Sequence, residues 1–248
     1  DQEMKYLVDS LNTMLERLEK SFEHISEFSS HVAHELKTPL AIVRGEIELA
    51  MNEDRDPQEY KRVLQVSLEE VNRLIKIIKD LLLLAKFDYK PDIFNFETLS
   101  IDTFFPEIYE HSKILAAEKQ IQVSYESTAN EAYIQGDKVH LRRLFLNLVH
   151  NAVKFTPVMG QISISVKVQN KFVVVSITDT GIGISDENLK KIFTKFFRVH
   201  KDESNPEFGS GLGLSIAQSI AKAHHGDISV ESGLSKGSTF TVTLPLKS

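Results

Sequence analysis

The chain has no cysteine. That excludes disulfides, thiolate metal sites and cysteine nucleophiles. Long hydrophobic runs are missing too. The longest near a helix is Leu81 to Ala85, far short of the roughly 20 apolar residues a bilayer span needs. No signal peptide is present. No basic cluster with interleaved aromatics appears, and 29 basic against 35 acidic residues leave a net charge of −6. Both features argue against nucleic acid as the main partner. Internal repeats and low-complexity tracts are absent. What remains is 248 residues with ordinary hydrophobic (42%) and charged (26%) content, enough for two modest domains with cores of their own.

Residues 1 to 52 read as one long helix. Leu7, Leu11, Met14, Leu18, Phe22, Ile25, Val32, Leu36, Leu40, Val43 and Ile47 recur mostly at steps of three or four, one face of a helix. A pattern this long points to a coiled coil. His34 follows Val32 by two residues, so it points roughly 200° away from the seam, into solvent. Glu35 is beside it and Thr38 one turn on. Pro39 removes a helix hydrogen bond just beyond. Imidazole is a nucleophile near neutral pH, and a carboxylate on one ring nitrogen supports attack by the other. Such a histidine reads as a phosphoryl acceptor, although a lone surface histidine on a coiled coil would look alike.

Asn52 to Pro57 is a turn, with Asp56 as N-cap and Pro57 at the first helical position. A second helix runs from Pro57 to about Phe87. It carries one stripe of Leu64, Leu68, Val71, Ile75, Ile78 and Leu82, and beside it a second of Leu74, Ile77, Leu81 and Leu84. One partner helix cannot cover a face that wide, whereas two hairpins in a four-helix bundle can. A homodimer is therefore expected. The alternative is that the second stripe packs on the rest of the same chain.

Tyr89-Lys90-Pro91-Asp92 breaks the helical period and marks a domain boundary. Beyond it, helices are expected over Thr103–Lys119, Asp137–Phe155 and Gly211–His225. Strands are expected near 121–126, 132–135, 161–168, 172–179, 227–231 and 238–244. Helices on one side of a mixed sheet make an α+β sandwich.

Three stretches of this half suit a nucleotide. Asn147, Asn151 and Lys154 share one face of an otherwise apolar helix. Carboxamide oxygens are hard ligands for Mg²⁺ and an ammonium neutralises phosphate, although a solvated face would also carry them. Asp179-Thr180-Gly181-Ile182-Gly183 follows a strand. Its carboxylate suits an exocyclic amine and its glycines let backbone approach a flat ring, although a plain strand-to-helix turn reads the same way. Gly209-Ser210-Gly211-Leu212-Gly213-Leu214 runs into a helix, where exposed amides and the helix dipole favour phosphate. Between the glycine stretches, Phe193, Phe196 and Phe197 alternate with Lys191, Lys195 and Arg198, and a polar run follows from His200 to Pro206. This reads as a lid with aromatic anchors, with Lys195 or Arg198 placed to meet a γ-phosphate; core packing is the other role open to the phenylalanines. Walker A and His-Arg-Asp strings are absent, so P-loop and serine/threonine kinase readings fail.

His34-Glu35-Leu36-Lys37-Thr38-Pro39-Leu40 resembles the phosphoacceptor box of sensor histidine kinases from two-component systems. The asparagine helix, both glycine stretches and the phenylalanine segment resemble, in order and spacing, the N, G1, G2 and F boxes of the same family. The opening, Asp1-Gln2-Glu3-Met4 through Leu11-Asn12-Thr13-Met14, resembles the last helix of a HAMP relay module, although a plain coiled-coil lead-in reads the same way. Two departures are small: Lys37 where arginine is commoner and Phe155 where tyrosine is common. His31 lacks the Glu-x-x-Thr-Pro continuation and ranks below His34.

The resemblance implies a multidomain chain. Residues 1–24 are a HAMP-like signalling helix, 25–90 an all-α hairpin that dimerises as a four-helix bundle, and 91–248 an α+β sandwich of Bergerat ATPase type. It implies ATP and Mg²⁺ as cofactors, with Asn151 as the magnesium ligand. Asn147, Lys154 and Phe155 are its neighbours in the nucleotide site, and Asp179 reads adenine. Gly181 and Gly183 shape that pocket; Gly209, Gly211, Gly213 and Leu214 form the phosphate side. His34 takes the phosphoryl group with Glu35 as base partner and passes it to a response regulator aspartate. Thr38 matches the position that helps orient water for dephosphorylating that regulator. The implied setting is the cytoplasmic portion of an inner-membrane sensor, with the membrane reached only through a missing N-terminal part. A catalytically silent, nucleotide-binding scaffold is the alternative, and intact His34, Glu35, Asn151 and Asp179 weigh against it. An ATPase clamp would need a hydrolytic glutamate, and Gln135 to Phe155 contains none.

Overall fold

The computed structural model describes residues 2–52, 55–89, 94–199 and 209–247. Glu53 and Asp54 of the expected turn, Lys90-Pro91-Asp92 of the expected boundary, the polar run from His200 to Pro206 and the side chain of Leu7 lie outside the described residues. The chain divides into two compact units, Asp1–Lys79 and Asp80–Ser248.

The first unit holds helix α1 (Gln2–Asn52) and most of helix α2 (Pro57–Tyr89). Asp56 caps α2 as its position predicts: its Oδ1 accepts the Gln58 N–H at 2.8 Å, and its carbonyl accepts those of Glu59 and Tyr60 at 2.9 and 3.2 Å. Glu46 of α1 and Arg62 of α2 pair at 3.4 Å. Little of this unit is closed. Among the described residues, Pro39, Ala50, Val63 and Ile77 are its buried apolar side chains. Leu11, Met14, Leu18, Phe22, Ile25, Leu40 and Ile47 of the α1 seam are exposed, as are Leu64, Leu68, Val71, Ile75 and Ile78 of α2.

The second unit begins with the last turns of α2. Leu83 and Leu84 are buried in its core, and Leu81 and Phe87 pack against it. Part of the second stripe, Leu81 and Leu84, is thus covered by the same chain, whereas Leu82 of the first stripe stays exposed. Buried Asp80 pairs with Arg143.

Next come strand β1 (Glu97–Ser100), helix α3 (Ile101–Ala116) with a 3-10 turn at Ala117–Lys119, β2 (Gln122–Ser127), β3 (Tyr133–Gly136), α4 (Lys138–Phe155), β4 (Gln161–Gln169), β5 (Phe172–Asp179), the single-turn α5 (Asp186–Leu189), α6 (Gly213–Ala223), β6 (Asp227–Ser232) and β7 (Ser238–Pro245). The main sheet runs β2-β4-β5-β7-β6. Only β2 and β4 are parallel, and α4 lies in the crossover between them; the other pairs are antiparallel. The mixed sheet expected from the sequence is therefore present. β3 departs from it: it pairs with β1, a strand the pattern did not announce, in a separate two-stranded sheet.

The sheet's two faces differ. Ile162, Ile164 and Val166, then Val173, Val175 and Ile177, then Phe240, Val242 and Leu244 point inward and are buried. They join Phe105, Leu144, Phe145, Leu148, Ile216 and Ile220 from the helices. The other face carries hydroxyls, with Ser176–Thr241 and Thr178–Thr239 paired across strands at 3.2 and 3.0 Å. A sheet with one apolar face needs helices on that face only.

A polar strut fixes where α4 begins. His224, buried at the end of α6, accepts the Asp137 N–H on Nε2 at 2.9 Å and donates from Nδ1 to the Ile220 carbonyl at 2.8 Å. Both partners suit one neutral tautomer, and burial pushes the imidazole below its ordinary pKa. Asp137 caps α4 by accepting the His140 N–H at 2.9 Å and also accepts that of Asn95 at 2.8 Å. Burial alone would raise its carboxyl; these donors outweigh burial and hold it low.

Candidate functional site

Asp179 owes its position to strand period. Val173, Val175, Ile177 and Asp179 occupy one face of β5, so its carboxylate ends the apolar, helix-covered row. It is buried, and its Oδ1 accepts the Gly181 N–H at 2.8 Å. Burial pushes this carboxyl above its ordinary pKa, against the pull of the Gly181 and Ser238 N–H groups. Gly181 is required by packing: a Cβ there would stand 2.5 Å from the Phe155 carbonyl oxygen and 2.7 Å from Asp179 Oδ1.

The end of α4 meets this loop. The Ile182 N–H donates to the Phe155 carbonyl at 3.3 Å. Asn147, Asn151 and Lys154 lie along one side of α4, half-buried. Asn147 Nδ2 donates to the Gly213 carbonyl at 3.1 Å, tying α4 to the first turn of α6. The Lys154 ammonium sits 4.7 Å from the centre of the Phe155 ring.

The second glycine stretch closes the arrangement. Gly211 has φ +71°, with no room for a Cβ against the Phe196 backbone, and its carbonyl accepts the Phe196 N–H at 3.1 Å. That backbone starts α6 at Gly213, two residues after the expected Gly211. Leu212 is buried and Leu214 half-buried beside it. Arg198 donates from Nε to the Gly209 carbonyl at 2.8 Å, which places its guanidinium on the glycine stretch. Lys195 is half-buried in the same segment. Phe193, Phe196 and Phe197 all pack against the core, so the bland reading of these rings holds for all three, and they anchor the segment as well.

The structure thus ties Asn147 to Gly213, and Phe155 and Asp179 to Gly181, within one unit, with Gly211 held against Phe196 just before Gly213. Asn151 and Lys154 share the helix face, and Gly183 (φ +71°) follows in the loop. Two carboxamides and no carboxylate on that face suit a magnesium ion that arrives on phosphate and keeps most of its other ligands. Among the described residues no cluster of three His, Cys, Asp or Glu offers a metal an all-protein site. His34, Glu35 and Thr38 lie on α1 in the first unit. His34 is exposed, and the Thr38 hydroxyl donates to the His34 carbonyl at 3.3 Å.

Residues 24–90 match the His Kinase A (phospho-acceptor) domain, and residues 136–248 match the histidine kinase-, DNA gyrase B- and HSP90-like ATPases. The chain is 32% identical over 243 residues to the sensor histidine kinase CusS of Escherichia coli O6:H1, a match covering 98% of this chain and 50% of that protein. The chain belongs to the sensor histidine kinases of two-component systems. It spans about half the length of the curated relatives it matches. Among solved structures, full-length ShkA in complex with AMPPNP superposes with TM-score 0.68 at 26% identity, over 87% of this chain and 44% of that one. Histidine kinase ThkA in complex with the response regulator protein TrrA gives 0.72 at 26%, over 88% and 61%.

Four residues in or beside this histidine kinase site escaped the sequence reading. Ser238 pairs with Asp179 across β7 and β5, and its hydroxyl lies 2.9 Å from that of Ser232. Ser232 Oγ in turn accepts the Ile184 N–H at 2.9 Å, bracing the loop after Gly183. Gly237, at φ +78°, packs against the Asp179 carbonyl. The alternation Ser238, Phe240, Val242, Leu244 held the signal for Ser238, because it puts that residue on the inward face. Lys119, whose ammonium donates to the Val153 and Lys154 carbonyls of α4, is the fourth.

Proposed function

We propose that this chain autophosphorylates on His34 from Mg²⁺–ATP and passes the phosphoryl group to an aspartate of a response regulator. The observation that carries the reading is the meeting of α4, the Asp179 loop and the Gly211 turn in one unit of a chain whose other unit exposes His34 beside Glu35. Asn151 serves as the magnesium ligand. Asn147, Lys154, Phe155 and Leu214 line the phosphate-bearing side with Gly209, Gly211 and Gly213, and Lys195 and Arg198 approach from the lid segment. Asp179 accepts the adenine amine, with Gly181 and Gly183 allowing the ring to approach. Magnesium supplies charge neutralisation on the phosphates; the protein supplies positioning. The His34 nitrogen forms a bond to the γ-phosphorus as the bridging P–O bond breaks and its electron pair leaves with ADP. Glu35 holds the other ring nitrogen and takes up its developing charge. Chemical potential stored in the N–P bond favours transfer onward to carboxylate.

The exposed stripes on α1 and α2 support a homodimer through the helical hairpin, built from residues 25–90, with residues 91–248 as the catalytic domain and 1–24 as a HAMP-like lead-in. The receiver domain of a response regulator is the phosphoryl-group partner. No described helix is long and apolar enough to cross a membrane, and the reading takes this chain as the cytoplasmic portion of an inner-membrane sensor. Thr38, one turn from His34 with its hydroxyl on that turn's backbone, supports a second activity: dephosphorylation of the regulator. The test of both is incubation of the phosphorylated chain with a candidate receiver domain. Transfer of label to the receiver's aspartate supports the reading. Thr38→Ala is expected to slow later loss of that label by about tenfold or more and to leave transfer intact; unchanged dephosphorylation refutes the phosphatase role.

A further inference from the structure

The last turn of α4 is the part of this site nearest its own contradiction. A helix C-terminus carries carbonyls without helical partners and a partial negative charge, yet this turn presents Asn151 and Lys154 to a polyanion. Each carbonyl has an assigned donor. Ala152 accepts the Thr156 N–H at 3.0 Å, and Phe155 accepts the Ile182 N–H at 3.3 Å. Val153 and Lys154 both accept from one ammonium, Lys119 Nζ, at 3.0 and 2.8 Å.

Lys119 comes from the 3-10 turn after α3, far from every motif in the sequence. That turn is itself fastened to the segment after α4. The Lys119 carbonyl accepts the Met159 N–H at 3.1 Å, and the Gln122 N–H donates to the Gly160 carbonyl at 2.9 Å. The ammonium therefore sits on a fixed mount, and its charge meets two carbonyls at the negative end of the helix. The next carbonyl, that of Phe155, touches the Asp179 loop through Ile182 and leaves no room for a Cβ on Gly181.

We infer that Lys119 is a positioning residue for nucleotide binding: it neutralises the C-terminal end of α4 and holds its last turn in register with the Asp179 loop. The inference rests on the reading of α4 as the helix that meets Mg²⁺–ATP. Lys119 touches the helix backbone and acts through it, so its loss changes affinity rather than the chemical step.

The test compares the full chain with Lys119→Met and Lys119→Arg, using Mg²⁺–ATP binding by calorimetry and autophosphorylation at saturating ATP, well below each melting temperature. The expectation is that K119M weakens Mg²⁺–ATP binding by about tenfold. Its kcat at saturating ATP stays within about twofold of the parent, and K119R recovers most of the affinity. Binding by K119M equal to the parent, or a fall in kcat without a fall in affinity, overturns the inference. Failure of the unsubstituted chain to bind Mg²⁺–ATP would instead overturn the nucleotide reading itself. Should K119M not fold, Lys119→Gln removes the charge and keeps a donor, and the same two readouts decide.

Discussion

The two units solve the burial problem differently. Asp80–Ser248 closes its own core: three strands of alternating apolar residues meet the apolar faces of α3, α4 and α6, and the opposite sheet face is dressed with serine and threonine. Asp1–Lys79 leaves Leu64, Leu68, Val71 and Ile75 exposed along one helix and Leu18, Phe22 and Ile25 along the other. One unit closes its own core; the other leaves apolar stripes that the proposed homodimer would cover. The division follows the chemistry. In the proposed function the closed unit is the one that holds the nucleotide. The open unit is the one that, in the same proposal, presents His34 first to ATP and then to a regulator.

The largest effect should come from the open unit. Leu68→Glu together with Ile75→Glu places two charges in the proposed dimer seam, and a dissociation constant raised by about 10³-fold or more is expected by sedimentation. The thermal transition of the α/β unit should not move. If the double variant stays dimeric, the exposed stripe is not the seam. Phe145→Ala probes the closed unit. Phe145 is fully buried against Phe104 and Phe105, and a loss of about 3–5 kcal/mol is expected from the cavity. Calorimetry should show it in one transition only; a matching shift of the helical transition would show that the units do not melt independently. Asp179→Asn is the smallest of the three, with an expected loss of roughly 100-fold in ATP affinity, about 2.7 kcal/mol. It also carries a pH signature. The folded carboxyl is raised above its unfolded value, so the folded state binds more protons in that window. Stability therefore falls as pH rises from the ordinary carboxylate range through the raised value. D179N removes that fall, so its stability relative to the parent should improve across the same window. A flat difference would show that burial does not disfavour this charge.

Much of the fold was legible because period and burial agree. The β4 and β5 rows alternate strictly, and α4 repeats its apolar residues at helical steps. Asp56 capped where a cap was expected. Where local pattern was too short, it failed: β1 has four residues and one buried side chain, Leu99, so no period announced it or its pairing with β3. The start of α6 was misplaced by two residues because Gly211 needs a positive φ before the helix can begin. The wide apolar face of α2 was legible, but not its division. Leu81 and Leu84 turned toward the core of the same chain, and no spacing distinguishes a partner in cis from one in trans. The site divides in the same way. Asn147, Asp179 and the glycines stood out as candidates by residue type and order. Lys119, Ser232 and Ser238 act through backbone carbonyls and cross-strand neighbours, contacts that exist only once the fold brings distant segments together.

The most direct test of the account is incubation of the chain with γ-labelled ATP and Mg²⁺, with His34→Gln alongside, followed by acid and base treatment. The account predicts label that survives base, is lost in acid and is absent from H34Q while H34Q still binds ATP. Label that persists in H34Q, or no label on a parent chain that binds Mg²⁺–ATP tightly, would contradict it.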